Sequence, residues 1–129
     1  MAWTWVDKNI VLAIHDEQIA EHGGETGMRD EGLLISAQAR PLDKANYEDA
    51  NVISLAAAYG YGIARNHPFL DGNKRTAFVT MELFLILNDW ELKADDGPCL
   101  EIFISLADGS LSEKDLTKWL KANTQAGSP

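Results

Sequence analysis

Cysteine is nearly absent: Cys99 is alone among 129 residues, which excludes an internal disulfide and any cysteine-based zinc site and suits a reducing compartment. Long apolar runs are missing too, since no stretch reaches the roughly 18 residues of a membrane span. The opening residues Met1-Ala2-Trp3-Thr4-Trp5-Val6-Asp7 lack the basic and apolar regions of a signal peptide, so a soluble, cytoplasmic protein is expected, without a membrane partner. Basic residues are few, with 11 Lys and Arg against 20 Asp and Glu and a formal charge of −9. That balance repels phosphate backbones at long range, so direct nucleic-acid binding is not expected and any bound phosphate must be held by a local device. Internal repeats and low-complexity tracts are absent, and the length suits one domain over residues 1–129.

What is present is helical periodicity. From Asp7 to about His22, the residues Val11, Leu12, Ile14, Ile19 and Ala20 recur at helical spacing, with Asp7 placed as N-cap. Gly23 and Gly24 stop this helix, and residues 23–30 read as a loop. A short helix over residues 31–39 should end before Pro41, because the residue preceding a proline is pushed out of the helical region. Residues 40–47 are open between a loop and a small hairpin. Residues 49–66 and 73–88 are apolar on several sides, as helices at the antiparallel centre of an all-α bundle would be. Beyond them, residues 89–97 leave room for a brief extended segment. A helix near residues 98–107 follows, then a last helix opened by Ser112 with Asp115 close to a capping-box position. Residues 124–129 read as a frayed end.

Between the two central helices stands His67-Pro68-Phe69-Leu70-Asp71-Gly72-Asn73-Lys74-Arg75. A helix start carries unpaired N–H groups and about half a positive charge, which together attract anions. Gly72 permits close backbone approach, while Lys74 supplies a mobile point charge and Arg75 a bidentate fork. Asp71 would be a poor neighbour for a bare anion, but it fits if a divalent cation lies between; Mg²⁺ takes few carboxylates along with substrate phosphates. His67 titrates near neutrality and could take a proton from an attacking hydroxyl. Phe69 is expected to anchor the loop in the core and Asn73 to brace it by hydrogen bonds. Taken singly, such a histidine is more often packed or solvated and such an aspartate more often an N-cap. At roughly one in twenty per position, however, the seven specified residues together match by chance in about one window in a billion.

The string resembles the Fic/Doc signature His-x-Phe-x-Asp/Asn-Gly/Ala-Asn-Lys/Gly-Arg. Weaker similarity runs upstream through His15-Asp16 and the glycine-rich loop ending Gly27-Met28-Arg29-Asp30. The resemblance implies a compact all-helical Fic/Doc bundle of about six helices, with residues 40–47 a candidate for the family's substrate-docking flap. It implies that His67 activates the target hydroxyl, Asp71 holds Mg²⁺, and Gly72, Asn73, Lys74 and Arg75 grip the phosphates of ATP. Adenylylating Fic enzymes carry Gly where Lys74 stands and a second Arg where Phe78 stands; both departures point to the death-on-curing branch. There the γ-phosphate faces the hydroxyl, so the implied activity is phosphorylation of protein Ser or Thr by a toxin of a type II toxin-antitoxin system. Elongation factor Tu is the target implied by similarity, with arrested translation as the result.

The self-inhibitory Ser/Thr-x-x-x-Glu-Gly/Asn helix of many Fic proteins is not seen, since Glu31-Gly32 has Gly27 in place of the hydroxyl residue. Inhibition by a separate antitoxin of the prevents-host-death kind is thereby implied. Adenylylation of a protein hydroxyl and a catalytically silent antitoxin-binding module stand as alternatives. His15 and His22 share a helix face but have no evident third ligand, so a core or surface role is expected for them. Trp3, Trp5, Trp90 and Trp119 are read as packing anchors.

Overall fold

A computed structural model describes residues 3–47 and 50–127. In chain order these form α1 (Lys8–His22), α2 (Glu31–Tyr47), α3 (Val52–Asn66), α4 (Asn73–Leu87), β1 (Trp90–Leu92), α5 (Asp96–Asp108), α6 (Glu113–Asn123) and β2 (Thr124–Ala126). The architecture is all-α, with six helices and one two-stranded antiparallel ribbon among the described residues. No described helix is long and apolar enough to cross a membrane.

Helix α3 is the hub, packed against α2, α4, α5 and α6. Its small residues explain how one helix accepts four neighbours. A Cβ on Gly60 would lie 3.1 Å from Met81 Sδ and 3.3 Å from the Phe103 ring, and one on Gly62 would lie 3.3 Å from the Ala37 backbone. Helix axes can approach that closely only where side chains are short. Leu55, Ile63, Met81, Phe84, Phe103, Leu106, Leu116 and Leu120 fill the remaining space as one buried cluster. The extended N-terminal residues close its end: Trp3 and Trp5 pack on Phe84, and Val6 N–H donates to the buried Tyr59 hydroxyl at 3.0 Å. Trp90 and Trp119 also pack against this core.

Local signals placed most helix starts. Asp7 caps α1 by accepting from Ile10 N–H at 3.1 Å. Ser112 and Asp115 form a reciprocal capping box, so aspartate reaches back as well as glutamate would. The first of the two central helices, α3, starts later than the sequence pattern suggested, at Val52 behind an Asn51–Ser54 capping box; Asp49 lies outside the described residues.

Two expectations are corrected. The second helix does not end before Pro41 but runs through it to Tyr47, so residues 40–47 are neither loop nor hairpin. A proline inside a helix costs about 3 kcal/mol; here tertiary contacts offset it. Pro41 is itself buried, Ala37 packs beneath Gly62, and Arg40 and Lys44 both pair with the Glu113 carboxylate at the start of α6. Nor is the tail frayed throughout, for Thr124–Ala126 pairs with Trp90–Leu92 in the register Trp90 to Ala126, extended by Gly127 N–H to Asp89 O at 2.7 Å. The expected extended segment after α4 thus has its partner over thirty residues away, where no local pattern could reveal it. Ser128 and Pro129 lie outside the described residues.

Candidate functional site

The motif occupies the turn from α3 into α4. His67 is the C-cap of α3 in a left-handed conformation (φ 49°, ψ 57°), with its N–H donating to Ile63 O. Such a conformation is uncommon outside glycine, and Pro68 after it prevents the helix from continuing. Phe69 turns inward, is 2 % exposed, and stacks on the buried His15 ring at 3.8 Å between centroids with 6° between planes. Asn73 closes the loop on itself: its Oδ1 accepts from Phe69 N–H and its Nδ2 donates to Phe69 O, each at 2.9 Å. Both polar ends of that side chain are therefore engaged within the turn, and what Asn73 can offer a ligand is its backbone N–H.

Gly72 is the N-cap of α4 in the left-handed region (φ 76°), and no side chain caps the helix there. A Cβ at this position would lie 3.1 Å from Ile19 Cδ1, so glycine serves both the backbone angle and the close approach of α1. With no side chain capping α4, its first N–H groups stay available to a ligand in the cleft that Gly72, Asn73, Lys74 and Arg75 line. Lys74 and Arg75 flank it, Lys74 partly buried and Arg75 exposed. The cleft comprises two adjoining cavities between α1, α4 and α5. One, about 230 Å³, is lined by Ile19, Asp71, Gly72, Asn73, Lys74 and Arg75 among others; the other, about 270 Å³, continues past Lys74 and Arg75 to Phe78, Val79, Leu100 and Phe103. A polar, cationic mouth leading to an apolar recess suits a ligand with a phosphate end and a flat hydrophobic end.

Asp71 points its carboxylate outward. Its Oδ1 accepts from Gly72 N–H at 2.8 Å and its Oδ2 from Glu25 N–H at 3.2 Å. These backbone donors, Glu25 first and then Gly72, hold its pKa below the usual carboxylate value, and Lys74 adds to the effect. The group is therefore ionised at neutral pH. Each oxygen receives one N–H and keeps lone pairs for a cation. No cluster of three or more His, Cys, Asp or Glu stands ready for a metal among the described residues. The donor set fits Mg²⁺, which binds through one or two carboxylates plus phosphate oxygens and water, and does not fit a metal needing an all-protein cage.

His67 is half-buried and lines neither cavity described above. Its pKa is lowered, first by burial and then by the charges of Lys74, Arg29 and Arg65. The imidazole is thus neutral at physiological pH, as a proton acceptor must be.

Three contributors had no assigned role in the sequence reading. His15 Nε2 lies 2.8 Å from Asp71 O; a carbonyl only accepts, so Nε2 carries the hydrogen and fixes the peptide that leads into Gly72. Of the core or surface role expected for the two histidines, His15 takes the core and His22 the surface. Residues 23–30 form an irregular segment beside the motif: Leu70 N–H donates to Gly27 O at 3.1 Å, and the N–H groups of Arg29 and Asp30 donate to Pro68 O at 2.8 and 3.0 Å. This segment, bridged antiparallel from Met28 to Phe69, lies beside Asp71, with Gly23 in the cavity lining and Glu25 N–H on the carboxylate. The Arg29 guanidinium reaches across to the His67 and Asn66 carbonyls. The three glycines of residues 23–27 were the one local sign that this loop needed unusual backbone angles, and all three have positive φ.

Residues 5–85 match the model of the Fic/DOC family. The chain is 32% identical over 113 residues to a protein of Escherichia phage P1 named Protein kinase doc, covering 86% of this chain and 88% of that one. It is also 45% identical over 75 residues to Toxin Doc of Mycolicibacterium smegmatis, covering 57% of this chain and 58% of the relative. With the matched span running from the N-terminal segment through the motif into the last turn of α4, the chain belongs to the Fic/DOC family.

Proposed function

We propose that this protein is the toxin of a type II toxin-antitoxin system and a Doc-type phosphotransferase that moves the γ-phosphoryl group of ATP to a Ser or Thr hydroxyl of a cytoplasmic translation factor. The observation that carries this reading is the single turn that bears a neutral imidazole (His67) and, four residues on, an ionised carboxylate (Asp71), an uncapped helix start (Gly72) and two cations (Lys74 and Arg75) lining one cavity. The relatives named for a toxin and a protein kinase support it.

In this reading the backbone N–H groups that follow Gly72 in α4, with Lys74 and Arg75, receive the phosphates, and the apolar recess at Phe78, Val79 and Phe103 receives the base. Asp71 would hold Mg²⁺, which when bound neutralises phosphate charge as the transferred group leaves. His67 accepts the hydroxyl proton while the new O–P bond forms and the bond from γ-phosphorus to ADP breaks, with ADP leaving. Elongation factor Tu is the proposed target and arrested translation the outcome. A prevents-host-death antitoxin is the proposed inhibitor, and a basic segment would suit a chain of charge −9.

The test incubates purified protein with elongation factor Tu, Mg²⁺ and ATP labelled in either the γ- or the α-phosphate. Transfer of γ-label, lost in His67→Ala by roughly 10²–10⁴-fold, is expected. Label arriving only from the α-position would replace phosphorylation by adenylylation. Growth arrest that persists undiminished in His67→Ala would make the chain a binding module.

A further inference from the structure

The base of the proposed reaction sits on a strained turn, and the structure shows one side chain holding that turn from outside. His67 adopts φ 49° without being glycine, at the junction where the last carbonyls of α3 have no helical N–H to meet them. The Arg29 guanidinium supplies the missing donors. Its Nε donates to His67 O at 2.7 Å and its Nη2 to Asn66 O at 2.8 Å. Both are short and charge-assisted, and two successive carbonyls are gripped by the two ends of one planar fork. The arginine is itself anchored on the opposite side, its own N–H donating to Pro68 O at 2.8 Å. Side chain and backbone of Arg29 thus engage three consecutive carbonyls, Asn66, His67 and Pro68, on the segment that carries the imidazole.

We propose that Arg29 is a positioning residue for the general base: its fork fixes the left-handed turn at His67 and so aims the imidazole at the incoming hydroxyl. The proposal rests on the reading of His67 as base. Arg29 forms no hydrogen bond to Asp71, and it lines neither cavity of the nucleotide cleft, so its influence on turnover is separable from nucleotide binding. Its charge acts in the same direction as that of Lys74 on α4 and Arg65 on α3, the charged groups facing His67, all of which keep the ring neutral. Lysine at position 29 would preserve the charge but not the fork, because an ammonium cannot place two fixed donors on successive carbonyls. Geometry and charge can therefore be tested apart.

The experiment compares wild type, Arg29→Lys and Arg29→Gln in three measurements: steady-state transfer from ATP to elongation factor Tu, ATP affinity, and NMR of His67 in the free protein. Misplacing a catalytic group by about 1 Å can cost up to about 10²-fold; kcat is expected to fall at least about tenfold in both variants, with ATP affinity changed less than about twofold. The His67 amide order parameter should drop from a rigid value of about 0.85 toward 0.6 in both, while the ring pKa rises only in Arg29→Gln. Unaltered kcat and an unaltered order parameter in Arg29→Lys would overturn the proposal, as would a loss confined to ATP affinity. If wild type labels nothing, the phosphotransfer reading fails on its own account. The order parameter then decides whether Arg29 holds the turn: a drop in both variants supports it, and rigidity in Arg29→Lys refutes it.

Discussion

Replacing Asn73 with Ala removes both hydrogen bonds that close the motif turn. Asn73 is 7 % exposed and Phe69 2 % exposed, so neither the N–H nor the C=O of Phe69 can turn to water without opening the loop. An orphaned buried donor or acceptor costs about 1–3 kcal/mol, giving about 2–6 kcal/mol for the pair; the better helix propensity of Ala returns at most about 0.7 kcal/mol. The net loss, about 1.5–5 kcal/mol, is a large part of the roughly 5–15 kcal/mol of a typical domain, and corresponds to a fall in Tm of roughly 5–20 °C. Urea and thermal unfolding measure it directly. Asn73→Asp sharpens the test. The carboxylate can still accept from Phe69 N–H but cannot donate to Phe69 O, which it faces at the 2.9 Å now spanned by the amide. Burial and the facing carbonyl would raise the pKa of this aspartate in the folded state. Its penalty is therefore full above that folded pKa and shrinks as pH falls through it, when a protonated carboxyl can donate again. Asn73→Ala within about 0.5 kcal/mol of wild type, the usual range of surface substitutions, would refute the account of the turn. So would Asn73→Asp of wild-type stability at neutral pH.

Gly24→Ala sets a Cβ 2.8 Å from Asp71 Oδ2 at a φ of +125°, a conformation costing about 1–3 kcal/mol for other residues. It should lift the Glu25 N–H off the carboxylate and raise the Mg²⁺ concentration needed for transfer, read from a Mg²⁺ titration; an unchanged requirement would contradict the tether. Because burial and then Lys74, Arg29 and Arg65 depress the His67 pKa, the acid limb of kcat/KM should lie below pH 6.5, and an acid limb above that value would exclude His67 as the base. The same depression means that protonating His67 favours the unfolded chain. Its stability cost is absent above the unfolded pKa near 6.5 and grows as pH falls from there to the folded pKa. Truncation after Asn123 removes the partner of Trp90–Leu92 and should cost about 1–3 kcal/mol, at about 1 kcal/mol per net hydrogen bond, with an exposed strand edge prone to self-association in light scattering.

The helices that could be read ahead were those whose cause is local. Asp7 and Ser112 announce their helices because a cap bonds to a backbone group three residues away, and α3 and α4 announce theirs because apolar residues crowd every face of a buried helix. Pro41 misled for a related reason. The rule that a proline ends a helix describes an isolated segment, whereas in the folded chain Ala37 packs beneath Gly62 and the Arg40 and Lys44 pairs with Glu113 hold both sides of the proline, so that α3 and α6 fix the helix through it. The pairing of Trp90–Leu92 with Thr124–Ala126 carries no sequence mark at all, since three-residue strands have too short a pattern to register.

For the site, the chain alone determined the chemical inventory: His67, Asp71, Gly72, Lys74 and Arg75 lie within nine consecutive residues, and contiguity brings them to one turn whatever surrounds it. The Asn73 brace is local as well; only the tertiary structure decided how the turn is held from outside. His15 on α1 supports the Asp71 carbonyl, Glu25 donates to the Asp71 carboxylate and Arg29 grips the carbonyls of Asn66 and His67. These contacts span 37 to 56 residues of sequence, so they exist only once packing has laid α1 and the segment after it against the α3–α4 junction. Covalent order specifies which groups are neighbours along the chain; the burial that folds distant segments together specifies their angles.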